Sequence, residues 1–361
     1  MHVASGTQVT SPTYDAGVLR RFPTVIATLS TTVLLTINLA VTPLASAIRP
    51  AEPAAAATRV DEDPQVLAIS IDALNPNALR VLGHTGAPNL WRLLDEGAST
   101  LNARTQVEQT VTLPNHTSMV TGRRIDKDKG GHGVTWNDDL PDRTVQGAAG
   151  HPVSSVFSVA HDAGLTTGLY AAKTKFSLFQ RSWPDSIDQV TIKEERDDAL
   201  TIAVRKDLIA SDRDFTFLHL GNADKTGHAH GFMGAEYLAA VSHIDALVGQ
   251  ILRAADTKPA LSDLTIILTA DHGGSKGQQT HSDASLLADY RVPFVVWGPG
   301  IEHLNLYDVN PGYVDPGKRQ PGLSGKQPVR NGNVANLALD LLGATPVPGS
   351  LFGRTRPLRV G

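Results

Sequence analysis

The chain has 361 residues, 41% of them hydrophobic and 19% charged, enough to bury a core in one large domain or two small ones. A formal net charge of -4, without a long basic run, leaves no nucleic-acid footprint. Cysteine is absent, which excludes disulfides, thiolate metal sites and a lipidated N-terminal cysteine, so 13 histidines and the carboxylates are the available metal-binding groups.

Residues 1–47 read as an export signal. Arg20 and Arg21 precede an apolar run over 25–44, and Ala45-Ser46-Ala47 forms a small-residue cleavage site. The rival reading is an uncleaved membrane anchor, since the run approaches the length that spans a bilayer. Membrane contact is expected only in that case. An alanine- and proline-rich linker covers 48–64, and 65–361 is read as one extracytoplasmic domain.

The first buried strand is predicted over 66–71, a β-branched apolar run that ends in Asp72. Asn75-Pro76-Asn77 then opens a helix. Residues 90–96 are helical in pattern, and 101–107 read as a strand leading to Thr112. In Thr112-Leu113-Pro114-Asn115-His116 the proline suits a helix's first turn, where its missing N–H costs nothing. Thr112 would then stand at a helix N-terminus, either as a cap or as a hydroxyl presented to an anion. Residues 130–137 look too glycine-rich to be packed structure. A helix is predicted over 154–163 and a strand over 166–171, with Lys173 and Lys175 behind it read as solvated lysines. Strand 215–220 precedes Asp224 and His228, whose four-residue spacing shares one face if the segment is helical. A long amphipathic helix spans 235–255, and strand 265–269 delivers Asp271 and His272. His281 lies in the loop beyond. Strand 292–297, a Gly- and Pro-rich loop over 299–331 and a closing helix over 334–342 complete the pattern. Alternating strands and helices predict an α/β fold, a mostly parallel central sheet with helices on both faces.

In such sheets ligands sit beyond the carboxyl ends of the strands. Asp72, Asp224, His228, Asp271, His272 and His281 all fall at such ends. Each alone has a plain structural role open to it, as cap, surface charge or core histidine. Together they form six N/O ligands, divisible into two sets of three with a position open for substrate, and they suit zinc better than magnesium. Two metals about 4 Å apart would lower the pKa of the Thr112 hydroxyl and clamp an in-line displacement.

These motifs resemble the alkaline phosphatase superfamily, and within it the nucleotide pyrophosphatase/phosphodiesterase branch. The resemblance covers about 65–300. It implies Thr112 as nucleophile, with Leu113 where the branch usually has phenylalanine, and Thr121-Gly122 as the pair closing the nucleophile helix. It also implies that Asn137, at the end of the loop from His132, steadies a nonbridging phosphate oxygen. By the same resemblance, one Zn²⁺ takes Asp72, Asp271, His272 and the Thr112 oxygen; the second takes Asp224, His228 and His281. The implied activity is hydrolysis of a small-molecule phosphodiester or pyrophosphate of nucleotide type through a phospho-threonine. The chain departs from the pattern where His281 follows Asp271-His272 after only nine residues, where His230 rivals His228, and where no aromatic grip for a base can be located. Phosphomonoester hydrolysis and phosphoethanolamine or phosphoglycerol transfer are the alternatives. A sulfatase is disfavoured because Thr112 cannot become an aldehyde and no arginine stands two residues after Pro114.

Overall fold

The computed structural model describes residues 64–361, so the signal and nearly all of the linker lie outside the described residues. In chain order the elements used below are β1 (Gln65–Ile71), α1 (Pro76–Gly86), α2 (Pro88–Glu96), β2 (Ala98–Arg104), α3 (Thr112–Thr121), α4 (Val156–Asp162), β3 (Thr167–Ala171) and β4 (Gln189–Ile192). There follow α5 (Asp197–Ser211), β5 (Phe215–Leu220), α6 (Asn222–His230), α7 (Ala235–Thr257), β6 (Leu264–Thr269), β7 (Arg291–Trp297), β8 (Leu304–Asn305) and α8 (Val334–Leu341).

The strands form one sheet of order β4-β3-β5-β1-β6-β7-β2-β8. All neighbours pair in parallel except β7, which is antiparallel to both β6 and β2. Every residue of β1, β5 and β6 is buried, whichever way its side chain points. Only a sheet covered on both faces needs such uninterrupted apolar strands. The helices supply the cover in two groups, α1, α2, α5 and α7 packing together and α3, α4 and α8 likewise. Helix α7 is long and apolar enough to cross a membrane, yet Tyr237, Val241, Ile244, Val248, Ile251 and Leu252 are core.

Several sequence readings change. Strand β2 runs from Ala98 to Arg104, starting and ending three residues before the expected limits. Within 130–137 the stretch from Gly131 to Val134 is packed after all. His132 and Val134 are fully buried, and a Cβ at Gly131 or Gly133 would lie 2.5 Å from backbone carbonyl oxygens, so the glycines permit close approach rather than mark slack chain. Within the 299–331 loop lies β8, and two wholly buried arginines pin the segment. Arg104 donates to the Gly317 and Arg319 carbonyls, Arg330 to those of Thr105 and Pro321. Strand β4 and helix α5 carried too little apolar periodicity to be read.

Helix α3 is fastened to the sheet by the two residues after Pro114. Asn115 is fully buried and satisfied. Its amide donates to the Gln109 and Val111 carbonyls, and its oxygen accepts from Gln106 N–H and Asn331 Nδ2. His116 Nδ1–H donates to the Thr112 carbonyl at 2.8 Å, which leaves Nε2 to accept from the Ser70 hydroxyl of β1 at 2.8 Å. Thr112 is thereby held against the strand that delivers Asp72. Asn115→Ala would strand buried partners at both ends and should cost on the order of 3 kcal/mol. The check is the urea midpoint, and a loss below about 0.5 kcal/mol would contradict this anchoring.

Candidate metal centre

Because β5, β1 and β6 are adjacent and parallel, their carboxyl ends lie side by side. Asp72 follows β1 and continues its ladder, its N–H donating to the Leu220 carbonyl. The next residue, Ala73, is turned to φ 61, a strained setting for a side-chain-bearing residue, and its N–H donates to Asp271 Oδ1 at 3.1 Å. Asp271 and His272 lie just beyond β6. Asp224 sits in the first turn of α6 with His228 one turn later, as their spacing predicts. The start of α6 is fixed by Asp197 of α5, whose carboxylate accepts from Gly221 and Asn222 N–H. His281 enters from the β6–β7 connection.

These side chains converge in two trios. His272 Nε2 lies 3.4 Å from Asp72 Oδ1 and 3.1 Å from Asp271 Oδ2. Asp224 Oδ1 lies 3.3 Å from His228 Nε2 and 3.5 Å from His281 Nε2, and the two imidazole nitrogens are 3.2 Å apart. By mutual separation alone, His272 also groups with Asp224 and His281, all within 4.8 Å. We place it with Asp271, its nearer carboxylate. The rings of His272 and His281 stack at 3.5 Å, joining the trios. His230 is exposed and touches neither.

Hydrogen bonds to carbonyls fix the histidine tautomers. His272 Nδ1 bonds the Gly273 carbonyl at 2.9 Å, His281 Nδ1 that of Thr110 at 2.7 Å, and His228 Nδ1 that of Gln279 at 2.6 Å. A carbonyl only accepts, so each Nδ1 carries a proton, and in the neutral form the ring points its Nε2 lone pair at the carboxylates. Burial keeps His272 below the usual imidazole range and His281 at about 4, so both are neutral at pH 7. Facing them, Asp72 Oδ1, Asp224 Oδ1 and Asp271 Oδ2 are buried without any hydrogen-bond partner. Acceptors therefore confront acceptors. Buried polar atoms are rarely left so, and a cation is what converts both sets into partners at once.

His219, on β5, has the opposite tautomer. Its Nδ1 accepts from Ala172 N–H, so Nε2–H donates to Asp72 Oδ2 at 2.9 Å. It supports a carboxylate and offers no lone pair to a metal. Lys173 corrects the sequence reading outright. Its side chain is only 14% exposed, and Nζ lies 2.6 Å from Asp72 Oδ2 and 2.7 Å from Asp224 Oδ2. Its position at the carboxyl end of β3, beside β5, was the available signal. Although burial disfavours the charge, Lys173, His219 and His272 together hold Asp72 well below the usual carboxylate range. Burial and the neighbouring Asp72 charge push Asp271 up.

Thr112 is the first residue of α3 and is buried, with Oγ1 3.5 Å from His272 Nε2. It does not cap the helix. Asn137 does, its Oδ1 accepting from Leu113 N–H at 3.0 Å, which turns its NH₂ away from the helix amides. Arg123 and Arg124 are engaged elsewhere, with the Gly130 and Pro348 carbonyls and with Glu108.

Residues 66–320 match the family described as type I phosphodiesterase / nucleotide pyrophosphatase. GPI ethanolamine phosphate transferase 1 of Chaetomium globosum is 33% identical over 130 residues, 35% of this chain and 13% of that protein. Ectonucleotide pyrophosphatase/phosphodiesterase family member 1 of Mus musculus is 26% identical over 231 residues, 60% of this chain and 24% of that protein. The chain thus matches only a minor part of either relative. Among solved structures, murine ectonucleotide pyrophosphatase / phosphodiesterase 5, an inactive form in complex with AMP, superposes with a TM-score of 0.60 at 14% identity, covering 82% of this chain and 99% of that one. A 2-O GAG sulfatase superposes at 0.54 and 16% identity, covering 82% and 74%. Both share the fold.

The neutral histidines set a pH dependence. Burial holds His116 well below the usual imidazole range, His132 at about 3 and His281 at about 4, whereas an unfolded histidine titrates near 6.5. Between those values the unfolded chain binds more protons, so stability falls as pH falls. Asp271, pushed up, acts the other way but is one group against several. The chelator-treated protein should lose melting temperature steadily from pH 6.5 to 4.5. A flat profile, or one that rises as pH falls, in calorimetry would contradict the burial of these histidines in neutral form.

Proposed function

Because the chain belongs to the type I phosphodiesterase / nucleotide pyrophosphatase family, we propose that it hydrolyses phosphodiester or pyrophosphate bonds in small molecules, with two Zn²⁺ held by the two trios. Asp72, Asp271 and His272 would hold one ion, together with the Thr112 oxygen, and Asp224, His228 and His281 the other. The observation that carries this reading is the set of three donorless carboxylate oxygens facing imidazole lone pairs. Mixed imidazole and carboxylate ligands suit zinc. What zinc supplies when bound is Lewis acidity toward the Thr112 hydroxyl and the phosphoryl oxygens.

The chain's own residues do the rest. Thr112 gives up its hydroxyl proton and Oγ1 bonds to phosphorus while the bond to the leaving oxygen breaks; the proton, relayed through solvent, ends on the departing alcohol or phosphate. Water then cleaves the Thr112 ester and restores the hydroxyl. Ser70, through His116, and Asn115 keep the nucleophile in register with the ligands, so attack starts from a fixed geometry. The Asn137 amide, oriented by Leu113 N–H, donates to a nonbridging oxygen.

Charge favours a diester. Asp72, Asp224 and Asp271 bring three negative charges against four from two Zn²⁺ and one from Lys173. The surplus of two falls to one when Thr112 ionises, which matches the single charge of a diester rather than the nearly two of a monoester. Neither Arg123 nor Arg124 reaches the site to bind a dianion. Nucleotide-type substrates agree with the AMP complex of the murine structural neighbour. The likeness to the ethanolamine phosphate transferase supports a second reading, in which an alcohol replaces water as acceptor from the same Thr112 ester. Export through residues 1–47 belongs to the same proposal.

Thr112→Ala should keep its zinc and lose at least about a thousandfold in kcat, since nucleophile and ligands act as a unit. Near-normal turnover would remove Thr112 from its role. The wild-type protein should favour bis-p-nitrophenyl phosphate over p-nitrophenyl phosphate in kcat/KM. A tenfold monoester advantage would make it a phosphomonoesterase.

A further inference from the structure

We infer that Lys173 is a positioning residue that bridges the two trios, a built-in counter-ion that keeps the carboxylates assembled and correctly aimed before any metal arrives. The inference rests on the proposed two-metal reading. Asp72 follows β1 and Asp224 lies in the first turn of α6, they belong to different trios, and Lys173 Nζ touches one oxygen of each at 2.6 and 2.7 Å. In both cases the contacted atom is Oδ2. The oxygens left free are the Oδ1 pair that face His272 and His281. A lysine filling a metal position would occupy the oxygens aimed at the imidazoles, and Lys173 does the reverse. Its grip on the outer oxygens sets the rotation of both carboxylates. His219 reinforces this at Asp72, donating to the same Oδ2 at 2.9 Å.

Lys173 also answers an electrostatic problem. Asp72, Asp224 and Asp271 are all buried, and the histidines around them are held neutral or donate through one nitrogen only. Without a cation, three carboxylates in one buried cluster repel one another and resist folding. Among the described residues Lys173 is the only lysine or arginine in ion-pair contact with any of the three. Metal binding takes over part of that task, so the contribution of Lys173 to stability should be largest in the metal-free protein.

The test is the melting temperature of Lys173→Met and Lys173→Arg, each measured with excess zinc and after chelation. Lys173→Met should melt about 10 °C below wild type when metal-free and less than half that far below when zinc-loaded. Lys173→Arg, which keeps the charge, should lose less than Lys173→Met in the chelated state. The double variant Lys173→Met/Asp224→Asn, which removes one of the repelling charges, should regain part of the metal-free melting temperature. If Lys173→Met unfolds on chelation, the double variant remains the measurable arm, and its rescue supports the inference. Equal losses with and without zinc, or no rescue by Asp224→Asn, would show that Lys173 merely packs and overturn it. A wild-type protein that takes up no zinc would instead defeat the two-metal reading, while rescue by Asp224→Asn would still report on the charge balance.

Discussion

Three buried carboxylate oxygens without a donor face imidazole nitrogens without a proton, and much of the carboxyl edge of the sheet serves to hold them there. Placing β1 between β5 and β6 brings Asp72, Asp224 and Asp271 within reach of one another. Backbone carbonyls of Gly273, Thr110 and Gln279 then choose the tautomer of each histidine. No chain would bury such acceptors together for stability alone, because each unpaired buried oxygen is costly. The arrangement makes sense as half of a coordination shell, with the other half supplied by cations.

The same edge separates two kinds of histidine by their partners. His228, His272 and His281 direct a lone pair inward. His116 and His219 spend their nitrogens on Ser70, the Thr112 carbonyl, Ala172 N–H and Asp72, and so orient the reacting groups. Thr112 is thus tied to β1 through His116 and to the loop at Asn331 through Asn115. Asn137 closes the helix start from the opposite side.

Much of this was legible in the chain. The proposed ligands stand at or just beyond the ends of apolar runs, which periodicity exposes, and the Asp224–His228 interval encodes a helical face. What escaped has a common cause. Lys173 looks like any lysine in the chain because its burial depends on β3 lying next to β5, whose paired residues are 48 positions apart. His219 lies inside a strand where its partner comes from β1. The glycines around His132 look like slack until the carbonyls they approach are in place. The antiparallel β7 follows from a β6–β7 connection that carries Asp271, His272 and His281 instead of a crossover helix. Tertiary neighbours decide each of these, and no local pattern records them.

The most direct test is anomalous diffraction at the zinc edge from crystals grown with zinc. The account expects two peaks. One should be bounded by Asp72, Asp271 and His272, the other by Asp224, His228 and His281, with every imidazole bound through Nε2 and neither His219 nor His230 coordinated. A single peak, ligation through Nδ1, or a zinc held by His219 would contradict it.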